Sequence, residues 1–328
     1  MSGPNGAAPS WALHSPAACL RVEGPDWLAG SWPEIVPHLP GVHLADAGQR
    51  ASSAEPVRID LDPVAPRWPQ ALLDGPDAVR LPERLPAGDI RRLLNALFHR
   101  LHLEQRVVTL HGVAVGRADR RVLLLGGHGA GKTLTALALH GLGWTPLAGD
   151  TAIMAVRHSR PPELLGGTSS FLVRVDEFRR QLPWLASGFV SGILPTSPAV
   201  KVDLGPALTE GGGRPLQQDA GPVDLAVLVH AEARTQALPV ALDRHTAVSA
   251  FYEASGHQLD RVLQAVDLPL RLLEPFPLAR ERLRLVQVLG ESLPMLSARG
   301  SPHSIAVAVE RALQRPARAG ETVCRRSG

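Results

Sequence analysis

Lysine and cysteine are scarce in this 328-residue sequence, and each scarcity narrows the range of functions. Lys132 and Lys201 are the only lysines, so arginine supplies nearly all of the 34 basic residues, which stand against 31 acidic ones. The net charge of +3 is too small to indicate a nucleic-acid-binding protein. In a sequence so rich in arginine, each lysine is a candidate for a task that arginine cannot perform.

The two cysteines, Cys19 and Cys324, lie near opposite ends of the chain and in no metal-ligand spacing. A disulfide-stabilised scaffold and a zinc site are therefore not expected. Long apolar runs are also missing, which predicts that no helix spans a membrane. Residues 1–6 contain no basic segment followed by an apolar one, so they lack the pattern of a secretory signal. We expect a cytoplasmic protein with neither a membrane nor a nucleic acid as partner.

Composition and length indicate a globular protein with one large domain and a smaller one. Hydrophobic residues make up 45% of the sequence and charged residues 20%, which are values of folded proteins rather than disordered or fibrous ones. We expect residues 1–10 to be disordered and residues 11–87 to form a small β-rich lobe, with a strand at Val57–Leu61. The main α/β domain would comprise residues 88–315, followed by a flexible tail at 316–328.

The clearest helix precedes the centre of the chain. Apolar residues from Ile90 to Leu101 repeat at helical spacing, and Asp89 supplies an N-cap. His99 and His102 lie near the end of this helix without a third metal ligand nearby. We therefore expect these histidines to contact the helix end or solvent rather than to bind a metal ion.

Apolar runs and helical spacing alternate through the rest of the chain, which predicts an α/β domain. The predicted strands are 107–115, 122–125, two strands within 144–156 separated at Gly149-Asp150, and 223–230. The predicted helices are 132–140, 244–255, 257–266, 278–288 and 303–314. Residues 157–170 and 207–222 are rich in proline and glycine and are predicted to be loops.

One segment has the Walker A pattern G-x-x-x-x-G-K-[ST] of a phosphate-binding loop, namely Gly126-Gly127-His128-Gly129-Ala130-Gly131-Lys132-Thr133. Glycines allow successive backbone N–H groups to turn inward around a polyphosphate, and the following helix favours an anion at its N-terminus. Lys132 can place a compact charge on the outer phosphates, and Thr133 offers a hydroxyl to Mg²⁺. The alternative is a chance match by a glycine-rich turn, but the strand before the loop and the helix after it favour the functional interpretation.

Four further side chains are candidates for chemistry around this loop. Asp150 suits a metal ligand or proton acceptor, unless it only stabilises the turn beside Gly149. His111 would lie near the base of the loop, where it would either orient a catalytic group or serve as a hydrogen-bonded core residue. Lys201 and Arg174 could neutralise phosphate charge, although surface residues of both types are usually only solvated.

These residues resemble the HPr kinase/phosphorylase superfamily, and within it the HPr-kinase-like proteins encoded in biosynthetic gene clusters. The resemblance covers roughly residues 107–156, and the rest of the chain matches only loosely. Its elements are a strand that carries His111-Gly112, the loop Gly126–Thr133, a helix ending at Leu142-Gly143, and a strand that carries Gly149-Asp150. The combination is more specific than the loop alone.

The resemblance implies a fold like that of the HPr kinase catalytic domain and of phosphoenolpyruvate carboxykinase, with a P-loop in a mixed sheet. It also implies ATP and Mg²⁺ as cofactors and transfer of the γ-phosphoryl group to a hydroxyl, typically that of serine. By position, Lys132 would bind the β- and γ-phosphates, Thr133 and Asp150 the metal ion, and His111 would support the catalytic carboxylate. A homo-oligomer would be consistent with the family.

The sequence departs from the family at positions that matter for catalysis. HPr kinases have a pair of aspartates where this chain has Gly149-Asp150, and a glutamate where it has Leu134. The first aspartate is the family's candidate base. Either Asp150 performs both tasks, or another group does, or the protein binds nucleotide without efficient transfer.

Three functions are compatible with the sequence. The first, which we expect, is an ATP-dependent kinase with a peptide, protein or small-molecule hydroxyl as acceptor. The second, favoured by Gly149, is a nucleotide-binding accessory or regulatory protein with weak or no phosphotransfer. The third is a P-loop ATPase or GTPase, for which Val240–Asp243 would be a poor metal-binding strand and no Asn-Lys-x-Asp guanine motif occurs.

Overall fold

The computed structural model describes residues 10–23, 26–44, 57–62, 72–73, 78–82, 87–189, 200–210, 220–232, 236–265 and 274–314. The N-terminal segment and the tail that we predict to be disordered or flexible lie outside these residues, apart from Ser10, which begins the first strand. The described part is an α/β structure in which two larger sheets and a two-stranded ribbon combine with helices.

The N-terminal part forms a six-stranded sheet in the order β3-β1-β2-β4-β6-β5. Its strands are β1 (Ser10–His14), β2 (Cys19–Glu23), β3 (His43–Leu44), β4 (Val57–Asp62), β5 (Leu72–Leu73) and β6 (Ala78–Pro82). Leu13 and Leu20 of this sheet share an apolar core with Trp32 of helix α1 (Trp32–Ile35) and Phe98 of helix α2 (Ala87–Glu104). Strand β4 confirms the predicted strand at residues 57–61. Helix α2 confirms the predicted helix, but it begins at Ala87, so Asp89 lies in its first turn and is not the predicted N-cap.

The second sheet is mixed and is built around one long strand, β7 (Val107–Arg117). The strands that follow are β8 (Arg120–Leu125), β9 (Thr145–Ala148), β10 (Thr151–Ala155), β11 (Glu163–Gly167), β12 (Leu172–Arg174), β13 (Lys201–Asp203), β14 (Gly221–Pro222), β15 (Leu225–Ala231), β16 (Leu238–Ala241) and β17 (Met295–Gly300). The sheet order is β14-β11-β10-β7-β8-β15-β17-β16, with β9 also paired to β7, while β12 and β13 form a separate antiparallel ribbon. Strands β8, β15 and β17 are parallel, whereas β7 is antiparallel to β8, β9 and β10.

Helices cover both faces of the mixed sheet. They are α3 (Lys132–His140), α4 (Val175–Gln181), α5 (Pro183–Phe189), α6 (Gly205–Glu210), α7 (Arg244–Ala265), α8 (Phe276–Ser292) and α9 (Pro302–Gln314). On one face, Leu124 packs with Leu137 of α3 and Ile305 of α9, and on the other, Leu123 packs with Phe251 of α7. Adjacent residues of β8 thus pack in two apolar cores on opposite faces of the sheet, as expected for a strand buried on both sides. Of the helices in the described ranges, none is long and apolar enough to cross a membrane.

Several local predictions require correction. Residues 244–255 and 257–266 belong mainly to one continuous helix, α7, because packing of its apolar face outweighs the roughly 1 kcal/mol cost of Gly256 in a helix interior. Residues 157–170, predicted to be a loop, contain β11, which pairs with β10 along its length. The predicted loop at 207–222 includes the end of α6 and β14, and its residues 211–219 lie outside the described part.

The prediction for the two histidines at the end of α2 is also wrong, since both are fully buried. Nδ1 of His99 lies 2.7 Å from the Thr109 hydroxyl, and Nε2 of His99 lies 3.5 Å from Glu274. Nε2 of His102 lies 2.7 Å from the Ser15 hydroxyl. Burial lowers the pKa of His102 to about 3, so this ring is neutral. Both histidines are on the packed side of the helix and each has a polar neighbour, but Nδ1 of His102 has no hydrogen-bond partner among the described residues.

A buried ion pair lies beside His99. Arg282 of α8 donates through Nε and Nη2 to the two oxygens of Glu274 at 2.6 and 3.1 Å, and through Nη1 to the Ser255 hydroxyl at 3.1 Å. The guanidinium carbon also lies 4.4 Å from the ring centre of Tyr252. Burial would raise the pKa of Glu274, but the bonds from His99 and Arg282 outweigh it and hold that pKa below its usual value. This network connects α8 to α7 and α2.

We predict that Arg282→Ala lowers the free energy of unfolding by about 3–5 kcal/mol, because Glu274 would keep its charge in a buried position without its partner. Chemical denaturation followed by circular dichroism measures the loss. Arg244→Ala is the matched control, since it removes an ion pair with Glu291 that is exposed and should contribute little. If Arg282→Ala lowered the free energy of unfolding as little as Arg244→Ala does, the buried network would not stabilise the fold.

Candidate functional site

The glycine-rich loop joins the end of β8 to the start of α3 and packs against the neighbouring strand β15. Gly126 and Gly131 have φ values of +143° and +88°, which favour glycine. A Cβ atom at Gly126 would lie 2.8 Å from the Val229 carbonyl oxygen, and one at Gly131 would lie 2.2 Å from Cβ of Ala231. The Ala231 N–H also donates to the Ala130 carbonyl at 2.8 Å. Strand β15 therefore fixes the shape of the loop.

Lys132 begins α3 and folds back over the loop. Its Nζ donates to the carbonyl oxygens of Gly126 and Gly127 at 2.8 and 3.0 Å and lies 2.9 Å from Nε2 of His111. The residue is only 7% exposed, and burial lowers the pKa of Lys132 to about 8 despite the opposing effect of Asp150. The ammonium group is thus held by neutral acceptors that a stronger, anionic acceptor could replace.

His111, on β7, connects Lys132 to Asp150. Because an ammonium group can only donate, Nε2 of His111 is the acceptor and Nδ1 carries the proton. Nδ1 lies 3.5 Å from Oδ1 of Asp150. The imidazole also stacks on His257 of α7, with 3.8 Å between the ring centres. The prediction that His111 lies near the base of the loop is confirmed, and its ring lies between a cation and a carboxylate.

Asp150 lies in the turn between β9 and β10, with its side chain 49% exposed toward a cleft. The Thr168 hydroxyl accepts the N–H groups of Asp150 and Thr151 at 2.8 and 3.1 Å. Gln258 of α7 donates to the Thr151 hydroxyl at 2.8 Å. These contacts hold the backbone of the turn, so that the Asp150 carboxylate is presented at a defined position.

Gly149 occupies the position at which the resemblance noted in the sequence would predict an aspartate. Its N–H donates to the Thr168 carbonyl at 2.8 Å, and a Cβ atom at this position would lie 1.9 Å from the Ser170 carbonyl oxygen. Such a short distance to the backbone leaves no room for any side chain unless the segment moves. The missing carboxylate is therefore coupled to the close packing of residues 168–170 on the turn.

That segment leads directly into the ribbon formed by β12 and β13. Val173 of β12 is buried in the main core, whereas Leu172 and Arg174 are exposed, as the alternation of side chains along a strand requires. In the antiparallel register, Arg174 lies directly opposite Lys201. The ribbon thus brings together two site candidates that are far apart in the sequence.

The loop, the turn and the ribbon surround one cleft of about 860 Å³. Its lining residues are Arg92, His111, His128, Gly129, Ala130, Gly131, Lys132, Thr133, Leu134, Asp150, Leu172, Val173, Arg174, Glu177, Lys201, Ala231, His257 and Asp260. Every predicted site residue belongs to this lining except Gly126 and Gly127, whose carbonyl groups bind Lys132 from behind. The cleft is the candidate functional site.

Positive charge exceeds negative charge in the cleft. Two of the charged lining residues, Arg92 and Glu177, form ion pairs within their own helices. The remaining charged residues are three cations and two carboxylates, namely Lys132, Arg174, Lys201, Asp150 and Asp260. Together with the backbone N–H groups of the loop, this excess suits a polyanionic ligand.

For Mg²⁺, the cleft offers oxygen ligands rather than a complete cage. Thr133 and Asp150 contribute a hydroxyl and a carboxylate to the lining. Among the described residues, no group of three or more His, Cys, Asp or Glu side chains could hold a metal ion. Protein-bound Mg²⁺ commonly uses one or two protein oxygens together with phosphate oxygens and waters, and Thr133 and Asp150 fit that pattern.

Sequence reasoning missed the contributions of α7 and of the segment after β11. Gln258 contacts Thr151 from 107 residues away, and His257 stacks on His111 of β7, which is still farther away in the chain. One signal was present, since Phe251, Ser255 and Gln258 recur at helical spacing and are all buried. A polar residue on such a stripe indicates a buried hydrogen-bond partner, although not which one.

Comparison with known proteins assigns the chain to no family, since neither protein-family models nor curated proteins match the sequence. The resemblance to HPr kinases, which is based on motif residues between positions 107 and 156, therefore stays a prediction from the sequence. Any functional conclusion depends on the geometry of the cleft.

We predict that Gly149→Ala lowers the free energy of unfolding by about 1–3 kcal/mol, because the added methyl group must displace the backbone at Ser170. Denaturant titration measures the change. Gly88→Ala is the control, since nothing lies within 4 Å of a Cβ atom at that position of α2, and it should not destabilise the fold. A Gly149→Ala protein as stable as the wild type would contradict the packing argument.

Proposed function

We propose that the chain is an ATP- and Mg²⁺-dependent kinase that transfers the γ-phosphoryl group of ATP to a hydroxyl group. The observation that carries this proposal is the line of contacts from Lys132 through His111 to Asp150 in one cleft. Phosphoryl transfer requires positive charge at the phosphates and an acceptor for the hydroxyl proton. The cleft offers the Lys132 ammonium group as the positive charge and the Asp150 carboxylate as the proton acceptor, with His111 between them.

A P-loop fold of the HPr kinase type is part of the proposal. It is supported by the order of strand, loop and helix within a mixed sheet.

Binding of the triphosphate would use the loop backbone and Lys132. The present acceptors of the Lys132 ammonium group are two carbonyl oxygens and a neutral imidazole. Exchanging them for phosphate oxygens would replace neutral acceptors by charged ones, and charge-assisted hydrogen bonds are roughly twice as strong.

Asp150 is the proton acceptor in this proposal. The hydroxyl oxygen of the substrate forms a bond to the γ-phosphorus, and the bond from that phosphorus to the bridging oxygen of ADP breaks. The hydroxyl proton passes to the Asp150 carboxylate. Nδ1 of His111 lies 3.5 Å from Oδ1 of Asp150, and a small approach would let its N–H donate to the carboxylate and orient it. Thr133 and Asp150 would hold Mg²⁺, which when bound offsets negative charge on the phosphates. With two carboxylate oxygens, Asp150 can serve both tasks.

A second function, a nucleotide-binding accessory protein with weak or no transfer, is favoured by one observation. The contact between Gly149 and Ser170 excludes a second carboxylate next to Asp150. Measurement of ADP formation with and without candidate hydroxyl acceptors separates the two functions.

An ordinary P-loop ATPase has less support, because β15, the parallel neighbour of β8, contributes Ala231 to the cleft where a carboxylate would be needed. Asp243 is engaged elsewhere, since it accepts the Thr246 N–H at 3.0 Å.

Substitution of the two central charged residues should separate binding from chemistry. Lys132→Ala should weaken Mg·ATP binding by about 10–100-fold and abolish ADP formation, because the charge-assisted bonds to phosphate are lost. Asp150→Asn should retain most of the binding but lower ADP formation at least about 100-fold, because the amide accepts no proton. Calorimetry and a coupled ADP assay measure the two effects.

The control for this pair is Asp119→Asn, at the turn between β7 and β8 and outside the cleft, which should leave both measurements unchanged. Undiminished ADP formation in both Lys132→Ala and Asp150→Asn would refute the kinase proposal. The accessory function would be favoured by a different result: the wild type binds Mg·ATP and Lys132→Ala binds it more weakly, but the wild type forms no measurable ADP with any hydroxyl acceptor tried.

The affinity for Mg·ATP should fall as the pH rises above about 8. The pKa of Lys132 in the free protein is lowered to about 8 by burial, and only the protonated form binds phosphate well. The affinity at pH 9 should therefore be about tenfold lower than at pH 7. Calorimetric titrations across this range test the prediction. Lys132→Arg, which stays charged, should bind more weakly but without this pH dependence, and a flat profile for the wild type would contradict the assignment.

A further inference from the structure

Two cations of the ribbon face each other without a carboxylate between them. Arg174 and Lys201 are direct cross-strand partners in β12 and β13, a position in which like charges are destabilising. Within the described ranges, neither side chain forms an ion pair with an acidic residue. Since both line the cleft, the repulsion between them is best relieved by an anion that enters from solution.

The ribbon holds this pair in place. Asp203 accepts the N–H groups of Phe171 and Gly205 through Oδ1 at 2.7 and 2.8 Å, and the Leu204 N–H donates to the Phe171 carbonyl at 3.0 Å. Phe171 and Val173 are buried in the main core. The packing of the ribbon therefore fixes the backbone positions from which the two cations extend.

The acidic residue that lines the cleft on the adjoining helix α4 does not neutralise the pair. Glu177 accepts from Arg180 at 2.5 Å and from Gln181 at 3.0 Å, so both of its oxygens are engaged on the helix itself. The ribbon thus contributes two positive charges to the cleft, separate from the loop that carries Lys132.

The position of the ribbon indicates which ligand the pair serves. Ser170, two residues before the start of β12, packs on Gly149, so the ribbon enters the cleft from the side of Asp150. If Asp150 accepts the hydroxyl proton, the molecule that carries the hydroxyl must approach from that same side. The triphosphate, by contrast, already has the loop N–H groups and Lys132 as partners.

We propose that Arg174 and Lys201 form a subsite for an anionic group, a phosphate or a carboxylate, on the hydroxyl-bearing acceptor itself. This inference rests on the proposed kinase function and specifies the substrate class, namely an acceptor with a hydroxyl and an anion at a short distance from it. An anionic acceptor would also explain why position 149 is a glycine and not an aspartate. A second carboxylate at this turn would repel an anionic acceptor, whereas one carboxylate beside two cations admits it.

The test uses the full chain saturated with Mg²⁺ and β,γ-imido-ATP, so that the proposed triphosphate site is filled and no transfer can occur. Inorganic phosphate is then titrated by calorimetry at constant ionic strength, and acetate is titrated in a separate arm as the carboxylate probe. We expect the wild type to bind one of the two probes. The Arg174→Gln/Lys201→Gln double variant should bind it at least about tenfold more weakly, because two charge-assisted contacts are lost.

Arg160→Gln is the matched control, an exposed arginine in the turn after β10, at the end of that strand opposite Asp150. It should bind phosphate and acetate like the wild type. The double variant should keep the affinity for the imido analogue within about twofold, and thermal melting should confirm that it is folded. The acetate and phosphate arms distinguish a carboxylate from a phosphate on the acceptor, and binding of either one supports the subsite.

Three results would overturn the inference. If phosphate competes with the imido analogue, or if the double variant binds the analogue more weakly, the pair serves the nucleotide and not the acceptor. If the wild type binds phosphate and acetate no better than the double variant, there is no subsite. If the wild type fails to bind the analogue at all, the proposed function fails, and the acceptor role fails with it even where phosphate binding depends on the pair.

Discussion

The burial of one ammonium group organises the whole site. A lysine removed from water must have its hydrogens accepted, and Lys132 finds its acceptors in two loop carbonyls and His111. These acceptors are in place only because glycines at 126 and 131 let the loop pack tightly on β15, where a side chain would collide. The parallel neighbour of β8 thus determines where the positive charge lies, and β7 determines where the imidazole meets it.

A second constraint, the contact between Gly149 and Ser170, connects the sheet to the ribbon. The Thr168 hydroxyl accepts the N–H groups of Asp150 and Thr151, so the segment that follows β11 is fixed to the turn that carries Asp150. Because the ribbon begins a few residues later, its exposed face is directed into the same cleft as the carboxylate. One close backbone contact therefore excludes a second carboxylate and at the same time positions two cations.

Local patterns in the sequence were sufficient to predict the strands and helices around the glycine-rich loop. The spacing of apolar residues predicted α2, β7, β8 and α3, and the motif predicted the loop between the last two, because each depends on neighbours within one or two turns. The burial of His99 could not be predicted this way, since it depends on Glu274, which is 175 residues away. The pairing of Arg174 with Lys201 likewise depends on a ribbon register, and two short strands in a Pro- and Gly-rich region give no periodic signal long enough to predict it.

The scarcity of lysine gains a physical meaning from the structure, because both lysines of the chain line one cleft. Lys132 must exchange one set of acceptors for another, a task that suits three freely rotating donors better than a planar fork. Lys201 faces an arginine, and the pair combines a compact charge with a bidentate one. With a triphosphate in the loop, the excess of positive charge would disappear, and an anionic acceptor would be repelled from the cleft as a whole. The ribbon cations would then supply a local attraction on the acceptor side, which allows two negatively charged molecules to share one site.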